Sequence, residues 1–425
     1  MFKPYQKYKN IGHIDIPVHW NELEFNRLFT KKEIANCPQE KLLSVYLDRG
    51  VIPYSEGGGL VHKPSESLEK YQLVEVNDFV MNNQQAWRGS VGISKYRGIV
   101  SPAYLVFTPD HYKLMPKYLN YLLRDKYIVG EFMNCSLSVG TIQRQIKFHL
   151  LKKVNIPFPN IAEQTQIATY LDQETQKIDN LILKQEKLIE LLEEQRKSII
   201  SHAVTKGIDP HAKMKDSGVE WLGEVPEHWG IHRFSSIFIE NKRKNKGMLS
   251  DNLLSLSYGK IIEKDIHNVK GLVPENFETY QIIYPNDIVF RFTDLQNDKR
   301  SLRSAISKFK GIITSAYISV SSKTDNLDMN YYAYLFRTYD LMKVFYSMGD
   351  GMRQSLKMSE LNRMLILVPE KSEQQQIINF IETENKKIDQ LIQKQTALIE
   401  KLKEYRSSII SHAVTGKIDV RHLIS

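Results

Sequence analysis

One segment of the chain is written twice. Residues 156–209 align without a gap on residues 366–419 at an offset of 210, and 30 of the 54 aligned positions are identical. Such a repeat fixes the architecture early, because both copies must fold alike. Fainter echoes extend it. Ile16 to Trp20 returns as Val225 to Trp229, and Asn77-Asp78-Phe79-Val80 as Asn286-Asp287-Ile288-Val289. Gly98 to Tyr104 returns as Gly311 to Tyr317, and Arg144-Gln145 as Arg353-Gln354. Tyr118, Tyr121, Leu122 and Arg124 match Tyr331, Tyr334, Leu335 and Arg337. The order is globule (1–155), helix (156–216), globule (217–365), helix (366–425).

Each repeated block reads as one long helix. Pro159 and Pro369 precede it, and no Gly or Pro interrupts the first copy until Gly207. Apolar residues recur at heptad spacing in Leu171, Ile178, Leu181, Leu188, Leu192 and Ile199. The second copy supplies Ile381, Ile388, Leu391, Leu398, Leu402 and Ile409. A stripe of this period is a coiled-coil seam. Two equal halves imply a pseudo-twofold axis, which makes the helices antiparallel. Gln185 and Gln395 interrupt the stripe at the same place in both copies. They either fix the register of the pair or turn to solvent at its edge. Ser198 to Thr205 is repeated letter for letter at 408–415. A mere spacer has little reason for such identity, so this end is expected to be a contact surface or a packed joint with the next globule. No Cys or carboxylate at ligand spacing accompanies His202 or His412, and no metal is expected.

The globules hold short apolar runs separated by turn signals. Strands are expected at Leu73 to Val76, Phe79 to Met81, Tyr104 to Phe107, Ile282 to Tyr284, Ile288 to Phe290 and Ala316 to Val320. A short helix is expected from Tyr118 to Arg124. The fold class is α+β: two α/β globules alternating with two long helices that pair as an antiparallel coiled coil. Trp20 and Trp229, at the globule entrances, read as packing anchors rather than stacking platforms.

Beyond the Asn-Asp match the two globules diverge. The first has Asn82, Asn83, Gln84, Gln85 and Arg88, then Lys95 and Arg97, with Arg144 later. The second has Arg291, Gln296, Asn297, Lys299, Arg300 and Arg303, with Arg353 later. Asn and Gln can bind adenine bidentately and Arg can bind guanine, so these are candidate DNA contacts. The cluster Lys242, Arg243 and Lys244 suits phosphates. A net charge of +9 favours a polyanionic partner. Two cysteines in no close pair fit a reducing cytosol, and neither an apolar leader nor a membrane-length apolar run is present. No phosphate loop, dinucleotide fingerprint, amino-methyltransferase segment or nuclease cluster is found, and no catalytic residue is assigned.

These features resemble the specificity subunits of type I restriction-modification systems. The joining segment Lys215 to Trp229 looks like that family's entry to its second target-recognition domain. Asn77 to Val80, Met81, Gln85-Ala86-Trp87 and Gly98 to Tyr104 look like the pattern inside such a domain. Glu163-Gln164 with Ile167, and Glu373-Gln374 with Ile377, resemble the start of its two conserved helical regions. The second globule departs from the pattern at Leu295-Gln296-Asn297. The resemblance implies a cytoplasmic, non-catalytic DNA reader, one globule per half of a bipartite double-stranded site, with the helices setting the gap. It implies two modification subunits carrying S-adenosylmethionine chemistry on adenine, and restriction subunits using ATP and Mg²⁺ for translocation and cleavage. Two other readings stay open: an interaction protein whose coiled coil is the working surface, and a nuclease with an unrecognised site.

Overall fold

The computed structural model describes residues 5–11, 14–47, 49–57, 64–139, 143–266, 276–293, 302–348 and 355–423. The chain forms two compact units, residues 1–186 with 396–425, and residues 187–395. Each boundary falls inside a long helix.

In the first unit a four-stranded antiparallel sheet has the spatial order Phe29–Lys32, Tyr104–Pro109, Phe79–Asn82, Val91–Ile93. The run Phe79-Val80-Met81 is fully buried because it serves two cores. Side chains alternate across a strand. Phe79 and Met81 therefore join Phe25, Phe107 and Phe132 on one face, while Val80 joins Val45, Val74 and Val106 on the other. Helix α1 (Pro116–Leu122) opens on a proline, and α2 (Lys126–Asn134) is capped by Asp125, which accepts the Tyr127 amide at 2.9 Å.

The second unit repeats this order with Phe238–Glu240, Ile318–Ser322, Ile288–Phe290 and Ser304–Ile306. Ile288 and Phe290 face the large core and Val289 the small one. The strands expected to reach Val76 and Tyr284 stop at Val74 and Ile283. The cause is a built turn. Buried Asp78 accepts the Glu75 amide and buried Asp287 the Tyr284 amide, each at 2.8 Å. Asn77 and Asn286 take φ of 73° and 74° there, a left-handed conformation that Asn tolerates better than most residues.

The first long helix, α3, is Ile161–Lys206, and the second is Lys371–Val414, which follows α4 (Met329–Leu341) and is called α5. In the first unit Gly416, just past α5, lies against Pro17 and Trp20, and Trp20 bonds Glu163 near the start of α3. One stretch further in, Arg406 makes a bidentate pair with Asp179 at 2.8 and 3.2 Å. The helices are therefore antiparallel. In the second unit Gly207 lies beside Glu373, and Arg196 reaches Asp389 at 2.5 Å. Asp389 is the repeat of Asp179 and Arg196 that of Arg406, so one contact is made twice.

Leu171, Ile178, Leu192, Ile381, Ile388 and Ile409 are buried, and Ile199 and Leu402 partly so. Leu181, Leu188, Leu391 and Leu398 are not seam residues: they are 39–44% exposed. The buried stripe steps four and three through Leu171, Thr175, Ile178, Ile182, Gln185, Ile189 and Leu192, with the same phase in the second copy. Isoleucines at 182, 189, 392 and 399 thus occupy the places assigned to leucines one residue earlier. Gln185 and Gln395 stay in the stripe, partly buried.

The letter-for-letter repeat is a packed joint in both units. Ala203 and Val204 sit in the second unit's core, where the Tyr331 hydroxyl donates to the Val204 carbonyl at 2.9 Å. Ala413 and Val414 sit in the first unit's core, where the Tyr118 hydroxyl, the counterpart of Tyr331, reaches the Val414 carbonyl at 3.5 Å. Each helix end is overlaid by a strand pair. Met214–Asp216 with Glu224–Pro226 follows α3; Tyr8–Ile11 with Ile14–Pro17 meets the end of α5, the Tyr8 hydroxyl donating to the Gly416 carbonyl at 3.2 Å.

Both helices are followed by a glycine with left-handed φ, 79° at Gly207 and 71° at Gly416. A Cβ at Gly207 meets nothing closer than 3.5 Å, whereas at Gly416 it would lie 2.3 Å from Pro17 Cδ. Gly207→Ala should therefore cost about 1 kcal/mol of backbone strain. Gly416→Ala should cost about 2–4 kcal/mol, because overpacking is added. Urea unfolding of the two variants measures the difference, and equal midpoints would refute the steric argument.

Candidate nucleic-acid interface

In the first unit the candidate contacts follow strand Phe79–Asn82 into a turn and the single 3-10 turn Ala86–Arg88, which Gly89 ends at φ 97°. Part of this turn is held by its own side chains. Asn82 Oδ1 accepts the Gln84 amide at 3.1 Å, and Asn83 Oδ1 accepts the Ile146 amide at 3.0 Å. Gln84 and Gln85 are partly buried, and the Gln84 carbonyl accepts Trp87 Nε1 at 3.0 Å. Arg88 is exposed, with its guanidinium 5.7 Å from the Trp87 ring. Lys95 is exposed on the next turn and lines the same cleft as Arg88. Arg97, also exposed, is paired with Glu75 and with Glu40 at 2.9 Å. Arg144 stays within its hairpin, donating to Ser136 Oγ and O at 2.8 and 2.9 Å.

In the second unit Lys242 is 78% exposed, with Glu240 at 3.1 Å. Arg243 stacks 4.6 Å from the Tyr284 ring and pairs with buried Asp287. Burial pushes the Asp287 carboxyl up; the Tyr284 amide and the Arg243 guanidinium oppose that shift. Lys244 donates to the Thr279 carbonyl at 3.1 Å and to Ser315 Oγ at 2.8 Å. Arg291 is partly buried. Gln296, Asn297, Lys299, Arg300 and Arg353 lie outside the described residues.

Arg303 leaves the surface set. It is 0% exposed, its amide donates to Asp340 Oδ2 at 2.6 Å, and its Nη1 donates to the Thr293 carbonyl at 3.0 Å. A charge held this way is an internal brace.

Arg124 and its repeat Arg337 each position a hairpin. Arg124 donates to the Leu47 carbonyl at 2.8 Å, at the end of strand Leu43–Tyr46. Arg337 donates to the Gly259 and Ser304 carbonyls at 2.6 and 2.7 Å, below hairpin Leu253–Ser257 and Lys260–Lys264. The second hairpin carries Tyr258, 85% exposed at φ 46°. The recurrence of Arg124 as Arg337 was the signal in the sequence.

Trp20 and Trp229 are buried anchors, each 1% exposed. Among the described residues no three His, Cys, Asp or Glu side chains are grouped to hold a metal, and no helix is long and apolar enough to cross a membrane.

Residues 17–193 match the family described as the type I restriction modification DNA specificity domain. A putative type I restriction enzyme MjaX specificity subunit from Methanocaldococcus jannaschii is 27% identical over 382 residues, covering 84% of this chain and 81% of its own. The MjaVIII specificity subunit of the same organism is 23% identical over 98% of this chain and 97% of its own. Over these stretches the chain is similar to type I specificity subunits. The fold is similar to solved structures as well. The chain resembles the HsdS subunit from Thermoanaerobacter tengcongensis in fold, with a TM-score of 0.54 at 13% identity over 96% of this chain and 99% of that one. A second structure, described under complex assembly and conformational transition of the type I R-M system, gives a TM-score of 0.62 at 14% identity over 95% of this chain and 99% of its own.

Proposed function

We propose that this chain is a type I specificity subunit that reads a bipartite DNA site, one globule per half, and carries its partners on the paired helices. One observation carries the reading. The helices repeat closely enough to make the Asp179–Arg406 contact again as Asp389–Arg196, while the side chains beyond the shared Asn-Asp turn differ between the globules. A scaffold that binds one partner twice needs two like surfaces; readers of different half-sites need two unlike ones. The scaffold serves two modification subunits and the restriction subunits of a cytoplasmic complex. The chain has no catalytic site of its own: S-adenosylmethionine methylates adenine on the modification subunits, and ATP with Mg²⁺ drives translocation and cleavage on the restriction subunits. The helices set the spacing of the two halves.

The test is a genome-wide map of methylated adenines with and without this gene, in cells that carry the modification subunits. The expected result is loss of one asymmetric two-part motif. An unchanged map, or loss of a single uninterrupted motif, would count against the proposal.

A further inference from the structure

The first unit contains an open cleft of 800 Å³ between the Asn77 and Ser94-Lys95 turns, the α1–α2 corner and the last third of α5. Its wall is strongly cationic: seven Lys or Arg side chains line it against two carboxylates, Asp125 and Asp172. Both acids are engaged, Asp125 as the cap of α2 and Asp172 with the Tyr121 hydroxyl at 2.8 Å. Lys117 lies 3.2 Å from Asp172, and Lys403 lies 2.9 Å from Glu400, both as exposed pairs that water screens. Arg406 is committed to Asp179. Among the described residues Arg88, Lys95 and Lys126 enter no ion pair, and all three are exposed at the cleft.

The second unit does not repeat this charge. At the positions of Lys117 and Lys126 it has Asn330 and Tyr339, and at that of Lys403 it has Glu193. Tyr339 is fully buried and packs edge-on against Trp221, 4.6 Å between centroids. Two cations are lost and one is reversed, although the surrounding framework of Tyr121 and Tyr334, Arg124 and Arg337, and Arg406 and Arg196 is kept. A general need for solubility would not select one corner of one half.

We infer that this cleft seats the phosphodiester backbone of one DNA strand beside the half-site read by the first globule, and that the second globule holds DNA without such a seat. The inference rests on the DNA-reading function proposed above. Cations held in a concave wall next to Arg88 and Lys95 replace the counterions of adjacent phosphates. Gln84 and Gln85, on the same turn as Arg88, are the amides left for base reading, since Asn82 and Asn83 brace the turn. The protein therefore grips its two half-sites unequally.

The experiment uses the full chain, a mixed-sequence DNA duplex and anisotropy at several salt concentrations. Lys95→Gln, Lys126→Gln and Lys403→Gln are combined in one variant. A control variant combines Lys177→Gln, Lys184→Gln and Lys394→Gln, exposed on the outer helix faces. All six side chains are exposed, so both variants should fold. Each phosphate contact contributes about 0.9 to the slope of log K against log salt. The cleft variant should lose about two to three from that slope, and the control well under one. Equal slopes for wild type and cleft variant overturn the inference while leaving the DNA-reading function standing. A wild type whose DNA binding ignores salt overturns both. Tripolyphosphate that raises the melting temperature of wild type but not of the cleft variant, with the DNA slope unchanged, assigns the cleft to a free anion and also overturns it.

Discussion

A chain ending at residue 215 should fold and form a homodimer through α3. In the intact protein the first unit completes its core with Ile409, Ala413 and Val414 from α5. A shortened chain lacks them, but a second copy offers Ile199, Ala203 and Val204 at the same repeat positions. Asp179 of one copy would meet Arg196 of the other, reproducing on both sides the bond that Arg406 makes in the intact first unit. Such an interface is isologous and closes at two subunits. Light scattering at micromolar concentration should give twice the chain mass, and Asp179→Arg should abolish the dimer. With modification subunits the dimer should methylate an inverted repeat of one half-site. A monodisperse monomer would remove the basis for the pairing.

Glu163→Ala should destabilise the first unit far more than Glu373→Ala destabilises the second. The Glu163 carboxylate, 3% exposed, accepts the Tyr5 hydroxyl at 2.5 Å, Trp20 Nε1 at 3.1 Å and His19 Nε2 at 2.9 Å. Burial, and then the neighbouring carboxylate, push the Tyr5 phenol up, so it remains a proton donor. Alanine strands two buried donors, at about 1–3 kcal/mol each. The expected loss is about 3–5 kcal/mol, or about 10 °C in the melting temperature of a unit this size. Among the described residues Glu373 holds only the exposed His228, at 2.9 Å, and the buried Trp229 Nε1 has no hydrogen-bond partner. Its removal should cost under about 1 kcal/mol. Calorimetry that finds the two losses equal would contradict this account, and Glu163→Gln, which keeps an acceptor, should fall between.

The helices were legible because a heptad stripe over forty residues has one physical meaning. Their phase was less so. Leu181 and Leu188 are as apolar as the isoleucines beside them, and only packing shows that Ile182 and Ile189 face inward. The recurring Glu-Gln pair marked the helix starts, but not that Gln164 both accepts the Met115 amide and donates to the Lys113 and Pro159 carbonyls. Arg303 could not be read correctly from its neighbours in sequence, since the carboxylate that takes its backbone amide, Asp340, is 37 residues away. The cleft was hidden for the same reason: Lys95, Lys126 and Lys403 are adjacent only after α5 has folded back on the first globule.

The strand pair that overlays the end of α5 has a topological meaning. In the second unit the overlay is covalent, since the backbone leaves α3 at Lys206 and runs on through residue 213 into Met214. In the first unit the same seat joins two distant stretches of chain, with Arg421 5.0 Å over the Tyr5 ring and Gly416 against Pro17. Cutting the chain between residues 209 and 213 would leave the second unit's joint to be held by non-covalent contacts alone, as the first unit's joint already is.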